Sequence, residues 1–232
     1  MRVLFIGNSH TYFHDMPHTF VRMCAQLTDE APEVAMLAYS NRSLAWHREE
    51  YFSLRFALLY GNYDYCVIQQ QAHPFPDEEE TRRSALRILS LCRSGDTQPV
   101  LMMTWAEKAH PEHFAPMQRF YRAFAAETGA MLAPVGALFD RIRQEHPEIE
   151  LYWHDGEHAS AYGDYLIAAL LAAMLCQTDD LSALDDQAID FDLDFEGEDG
   201  MPLAKEQAAD CTVQLDPEKA AILREQVSRS FE

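Results

Sequence analysis

The sequence predicts an α/β fold, a parallel sheet covered on both faces, and two observations carry the prediction. Five short apolar runs recur, at residues 3–6, 34–39, 65–68, 100–104 and 131–134. Between them lie stretches with helical spacing of apolar side chains. Runs of this length also occur inside buried helices, but their regular alternation with helical segments favours strands. A third observation bounds the size. The chain has 232 residues, 48% of them hydrophobic, which fits one α/β domain with a substantial core.

The elements follow in order. After the first run, Asp15 and Pro17 read as the cap and first-turn residue of a helix whose inner face is Phe20, Met23, Cys24 and Leu27. Leu44, Tyr51, Leu54 and Leu58 repeat in the same way before a turn at Gly61-Asn62. Residues 78–92 are charged first and apolar later, and the helix they predict ends near Gly95. Phe114, Met117, Tyr121 and Phe124 form a stripe that stops at Gly129. Ser160 is placed to cap a helix running through Leu166, Leu170 and Met174, and a final helix is expected after Asp216-Pro217. Stripes of Met and aromatic residues at this spacing are core, and no chemistry is assigned to them.

Residues 1–178 are expected to hold the α/β fold, and 179–232 an acidic extension with a helix that packs on the same domain. The stretch 179–199 contains ten Asp or Glu and no Lys or Arg, and Ile189, Phe191, Leu193 and Phe195 alternate with acids within it. Alternation with period two predicts an extended segment with one wet face. A calcium loop counted from Asp190 fails, because its sixth position must be glycine and is Phe195.

The net charge of −20 disfavours nucleic acid and anionic lipid as partners, since both would repel the chain over a Debye length. No apolar run reaches the roughly 18 residues of a membrane helix. Gly7-Asn8 interrupts the first run before a secretory leader would be complete. Cys24, Cys66, Cys92, Cys176 and Cys211 are scattered, odd in number and without a C-x-x-C pair, so they read as reduced thiols. The expected location is cytoplasmic.

Two segments carry chemistry. Gly7-Asn8-Ser9 puts a serine immediately past the first buried strand, and in open parallel sheets ligands bind at the carboxyl ends of strands. A lone serine there is an ordinary turn residue. The second segment, Trp153-His154-Asp155-Gly156-Glu157-His158, supplies what such a serine needs, a base and a carboxylate to fix the base's tautomer. The same residues also spell His154-x-x-Glu157-His158, the order of an inverted zinc-peptidase motif. That motif requires a helix, and Gly156 at its centre is a poor helix former.

Together Gly7-Asn8-Ser9 and Asp155-Gly156-Glu157-His158 resemble the first and last blocks of the SGNH, or GDSL, hydrolase superfamily. The resemblance covers roughly residues 1–176, and it implies a flavodoxin-like, three-layer α/β/α sandwich with a five-stranded parallel sheet. It also implies a carboxylic ester hydrolase with Ser9 as nucleophile, His158 as base and Asp155 as orienting acid, and no cofactor or metal. The substrate it implies is a small-molecule or oligosaccharide ester, such as an acetylated sugar.

The chain departs from the family at two blocks. After the second strand the family's glycine is missing from Tyr39-Ser40-Asn41-Arg42-Ser43, so an oxyanion contact would come from the Asn41 backbone with that of Ser9. After the third strand the family's Gly-x-Asn is replaced by Gln69-Gln70-Gln71. Gln69 and Gln71 project to the same side of an extended backbone, and either offers an amide donor in place of the asparagine. Gln-x-Gln here and Met103-Thr104-Trp105 after the next strand are similar to an uncharacterised branch of the superfamily. His10, Ser40 and Trp105 are the expected pocket residues. The rival to an enzyme is a ligand-binding relic of the same fold, whose oxyanion hole the two departures have spoiled.

Overall fold

In a computed structural model, which describes residues 1–184, 189–190 and 212–231, the chain forms two compact units. The first comprises residues 1–11 and 31–141, the second 12–30 and 142–232. The calcium-loop segment falls outside the described residues, apart from the two-residue strand at Ile189–Asp190, which pairs antiparallel with Thr212–Val213.

The first unit contains the five expected strands, β1 (Arg2–Gly7), β2 (Glu33–Ala38), β3 (Tyr65–Gln69), β4 (Gln98–Met102) and β5 (Met131–Ala133). All neighbouring pairs are parallel, in the order β2-β1-β3-β4-β5. This is the flavodoxin-like order, whose switch point lies between β1 and β3. Leu4, Ile6, Cys66, Ile68 and Leu101 point to one face of the sheet and are buried with the inner residues of the helices that follow. Val3, Phe5, Val67 and Val100 point to the other face and are buried as well. Burial on both faces explains why β1, β3 and β4 read as continuous apolar runs instead of alternating ones, whereas β2, at the edge of the sheet, leaves Val34 and Met36 exposed.

The stretch 44–60 differs from its expectation. It forms two helices, α3 (Leu44–Glu49) and α4 (Tyr51–Tyr60), because Glu50 leaves helical geometry at φ −74°, ψ 44°. Helices α5 (Glu78–Ser94) and α6 (Phe114–Thr128) stop at Gly95 and Gly129 as predicted, and Gly129 holds φ 69°. Asp77 caps α5 by accepting from the Glu79 and Glu80 N–H groups. A further helix, α7 (Val135–Glu145), was not expected, although Val135, Leu138, Phe139 and Ile142 carry its spacing directly after Pro134.

Gly136, in the first turn of α7, shows how closely this unit is packed. A Cβ there would lie 2.0 Å from the Thr104 carbonyl oxygen, which is backbone and cannot rotate away. Gly136→Ala is therefore expected to destabilise the chain by about 1–3 kcal/mol or more. Urea denaturation of the variant against wild type measures it.

The second unit contains α2 (Met16–Thr28), α8 (Ala161–Leu175) and α9 (Pro217–Ser228). Ser160 caps α8 through the Gly163 N–H, as expected. Asp15 does not cap α2: it holds a left-handed conformation, φ 55°, whereas a capping residue needs extended backbone. Its carboxylate instead lies 3.5 Å from the His18 ring. Helix α8 is buried on nearly every side, so its apolar residues carry almost no amphipathic pattern.

Candidate active site

Ser9 opens a single turn of helix, α1 (Ser9–Tyr12), directly after β1. The turn is possible because Gly7 lacks a side chain. A Cβ there would meet Thr11 Oγ1 at 2.3 Å and Gln69 Oε1 at 2.4 Å. Asn8 then fixes the approach to Ser9 with three hydrogen bonds. Its N–H donates to Gln69 Oε1 at 2.8 Å, its Nδ2 to the Arg42 carbonyl at 3.1 Å, and its Oδ1 accepts from the His10 N–H at 3.1 Å. His47, buried and with its imidazole pushed down by that burial, donates Nε2–H to the Gly7 carbonyl. The Asn of Gly-Asn-Ser is thus a brace that holds the serine, which stays partly exposed.

The three glutamines after β3 divide their work. Gln69 is fully buried; its Oε1 accepts from Asn8 N–H and from Thr11 Oγ1, and its Nε2 donates to the Gln70 carbonyl. Gln70 is also buried and ties the Leu44 N–H to Thr81 Oγ1. Only Gln71 directs its amide outward, donating to Asn41 Oδ1 at 3.4 Å. The structure therefore brings Asn41 and Gln71 together and commits Gln69 to the interior. Asn41 holds φ 56°, in the left-handed region. Asparagine tolerates that region better than other side-chain-bearing residues, so Asn41 takes the backbone conformation that the missing glycine would provide.

Ser40 is exposed beside Asn41. His10 faces His73, Nε2 to Nδ1 at 3.1 Å, and His73 donates Nε2–H to the Trp105 carbonyl at 2.9 Å. Trp105 is fully buried and stacks on Phe139 with ring centroids 4.4 Å apart. It supports the wall that His10 and His73 present and has no surface of its own.

In the second unit the segment 153–158 is a turn. Gly156 adopts φ 75°, which explains the glycine, and Trp153 pairs with His158 through its N–H and the His158 carbonyl at 2.8 Å. Asp155 Oδ1 accepts from the Glu157 and His158 N–H groups at 2.8 and 3.0 Å. Its Oδ2 accepts from His158 Nδ1 at 2.7 Å. Partial burial pushes the Asp155 carboxyl up, but these three hydrogen bonds outweigh it and hold the carboxyl below the usual carboxylate range. With Nδ1 carrying the proton, Nε2 is the ring nitrogen with the lone pair, which is the tautomer a general base requires. The turn agrees with the objection that Gly156 raises to the zinc motif. Without a helix, His154 and His158 do not share a face as His-x-x-Glu-His ligands must.

Sequence reasoning missed a second histidine–carboxylate pair in this unit. His14 Nδ1 lies 2.6 Å from Asp164 Oδ2, and both side chains are buried. Phe13, the residue before His14, stacks on the His158 ring with centroids 4.2 Å apart. The sequence signal was an acid, Asp164, in a helix that is otherwise apolar almost throughout.

With this geometry established, the chain can be set beside known structures. It is similar to a lipase/acylhydrolase from Enterococcus faecalis at 15% identity and a TM-score of 0.62, over 75% of this chain and 95% of that one. A member of the lipolytic G-D-S-L family from Veillonella parvula gives 13% identity and a TM-score of 0.57, over 75% and 97%. The chain has the fold of the GDSL hydrolases. The same fold is seen in a catalytic mutant of an acetylxylan esterase from Geobacillus stearothermophilus, at 15% identity and a TM-score of 0.60, over 76% and 92%. No family model matches the sequence, and no curated protein does. At these identities the GDSL-type likeness lies in the sheet and its connections, and the chemistry rests on this chain's own side chains. No helix among the described residues is long and apolar enough to cross a membrane.

Proposed function

We propose that the chain is a serine-dependent hydrolase of carboxylic esters and a member of the SGNH superfamily. The observation that carries the proposal is the Asp155–His158 hydrogen bond, which leaves Nε2 of His158 as a base. Its support is the fold shared with lipolytic enzymes and the braced, partly exposed serine past β1.

In this reading Ser9 Oγ attacks the acyl carbonyl while His158 Nε2 accepts its proton. Asp155 stabilises the imidazolium that forms. The backbone N–H groups of Ser9 and Asn41 and the Gln71 amide donate to the developing oxyanion. His158 then protonates the leaving alcohol, and water, deprotonated by His158, releases the acid from Ser9. Gln71, rather than Gln69, is the proposed side-chain donor, because the Gln69 amide is spent inside the protein. Gln71→Ala is expected to lower kcat about 10²-fold with little change in KM, read from steady-state kinetics. The acyl group proposed is small, such as an acetyl ester of a carbohydrate, the class named for the Geobacillus enzyme.

The test is turnover of p-nitrophenyl acetate with and without EDTA, followed by labelling with a fluorophosphonate and peptide mass spectrometry. Hydrolysis that ignores EDTA and an adduct on Ser9 are the expected results. Hydrolysis abolished by EDTA, or an adduct on another residue, would overturn the serine mechanism. Absence of both turnover and labelling would favour the ligand-binding relic.

A further inference from the structure

The connection between β4 and α6 carries a group of side chains that ester hydrolysis does not use. After Trp105 it reads Ala106-Glu107-Lys108-Ala109-His110-Pro111-Glu112-His113, and Pro111–His113 forms a 3-10 turn. This turn puts His110, Glu112 and His113 on one exposed surface, with a ligand atom of each within 4.8 Å of those of the others. The two imidazole rings lie nearly parallel, 17° apart, with centroids separated by 5.1 Å. Each ring meets a carboxylate: His110 Nδ1 lies 3.2 Å from Glu112 Oε1, and His113 Nδ1 lies 3.0 Å from Glu107 Oε2.

Two imidazoles and a carboxylate are the donor set of a borderline divalent cation. Calcium and magnesium prefer oxygen donors throughout, whereas imidazole suits zinc, copper and nickel. We propose that His110, Glu112 and His113 form a surface site for a cation of the Zn²⁺ class, with Glu107 as a fourth donor. Zinc binds nitrogen and oxygen at about 2.0–2.2 Å, so its donors must approach one another more closely than they do here. His110, Glu112 and His113 are exposed, so solvent leaves their side chains room to turn toward a shared ion. A net charge of −20 raises the local concentration of any divalent cation and favours capture. The site is separate from the His154/Glu157/His158 motif, and its occupancy does not depend on the chain being an esterase.

The experiment is isothermal titration of the full chain with ZnCl₂ near neutral pH, in millimolar CaCl₂. Calcium occupies oxygen-only sites, including any formed by the acidic stretch 179–199. A single Zn²⁺ is expected to bind in that background. In the His110→Ala/His113→Ala variant the affinity is expected to fall about tenfold or more, a loss of about 1.4 kcal/mol, and Glu112→Gln is expected to weaken it as well. His154→Ala is expected to leave it unchanged. The replaced side chains are exposed, and circular dichroism confirms that each variant is folded. No Zn²⁺ binding in the presence of calcium would overturn the proposal. So would binding that persists in the double variant or is lost with His154.

Discussion

Replacing Ser9 with alanine is expected to lower kcat for ester hydrolysis by about 10⁶-fold, and replacing Asp155 with asparagine by about 10⁴-fold. The first substitution removes the proposed nucleophile, Ser9 Oγ. The second separates orientation from architecture. An asparagine at 155 keeps an Oδ1 to accept from the Glu157 and His158 N–H groups, so the turn that Asp155 builds persists. Its Nδ2, however, faces His158 Nδ1, which must then give up its proton and accept. The ring proton moves to Nε2, the nitrogen proposed as the base. Two readouts distinguish this from a structural defect. Circular dichroism and thermal denaturation should be unchanged, while the ¹⁵N shifts of the His158 ring report the exchanged tautomer. Full activity in Asp155→Asn would show that Asp155 only shapes the loop.

The second large effect concerns stability and pH, and its source is the buried pair His14–Asp164. Burial pushes the Asp164 carboxyl well above the usual carboxylate range. Burial also pushes the His14 imidazole down to about 3, with the neighbouring His158 adding to the fall and Asp155 partly opposing it. The folded pair therefore keeps one proton, held by the acid and shared with Nδ1, where the unfolded residues would titrate independently. The raised acid contributes stability below its unfolded value of 3.8, which is lost as pH rises toward its folded value. The depressed histidine contributes stability above its unfolded value of 6.5, which is lost as pH falls toward about 3.

Above 3.8 the two slopes cancel for as long as the folded acid stays protonated and the unfolded histidine stays charged, so the pair's contribution is greatest there. Once the unfolded histidine is neutral only the acid's slope remains, and the contribution falls as pH rises toward the acid's folded value. Urea denaturation of wild type and of His14→Leu/Asp164→Leu at several pH values measures the difference. A wild-type advantage that grows from pH 6.5 to 8 would refute the shared proton. The single change Asp164→Leu leaves a buried imidazole without its acid and is expected to cost about 1–3 kcal/mol at any pH in this range.

The strands and the loop that holds His158 were legible because each depends on local chemistry. Strands buried on both faces must be apolar throughout, so residues 3–6, 65–68 and 100–104 announced themselves. Likewise Gly156, Asp155 and His158 are close enough in sequence for their turn to be set by their own backbone and side chains. Helix starts at Ser160 and Asp216 were similarly local, each a side-chain oxygen accepting from an N–H two or three residues on. Asp15 failed as a cap because the left-handed backbone at His14 and Asp15 follows the burial of His14 against Asp164, a partner 150 residues away.

The sequence by itself determined the α/β class and the residue types of the candidate site, while the flavodoxin-like order of strands followed only from the resemblance to the SGNH hydrolases. Tertiary structure alone decided which amides are spent and which remain. Gln69 and Gln71 are equivalent by alternation, and only the approach of β1 to β3 turned Gln69 inward, onto the Asn8 N–H that positions Ser9. It also decided that Asn41 stands in left-handed backbone where the family has glycine, and that His14 and Asp164 form a pair. The reason is the same in each case. A short-range pattern fixes what a residue can offer, but a hydrogen bond between distant residues fixes what it has left.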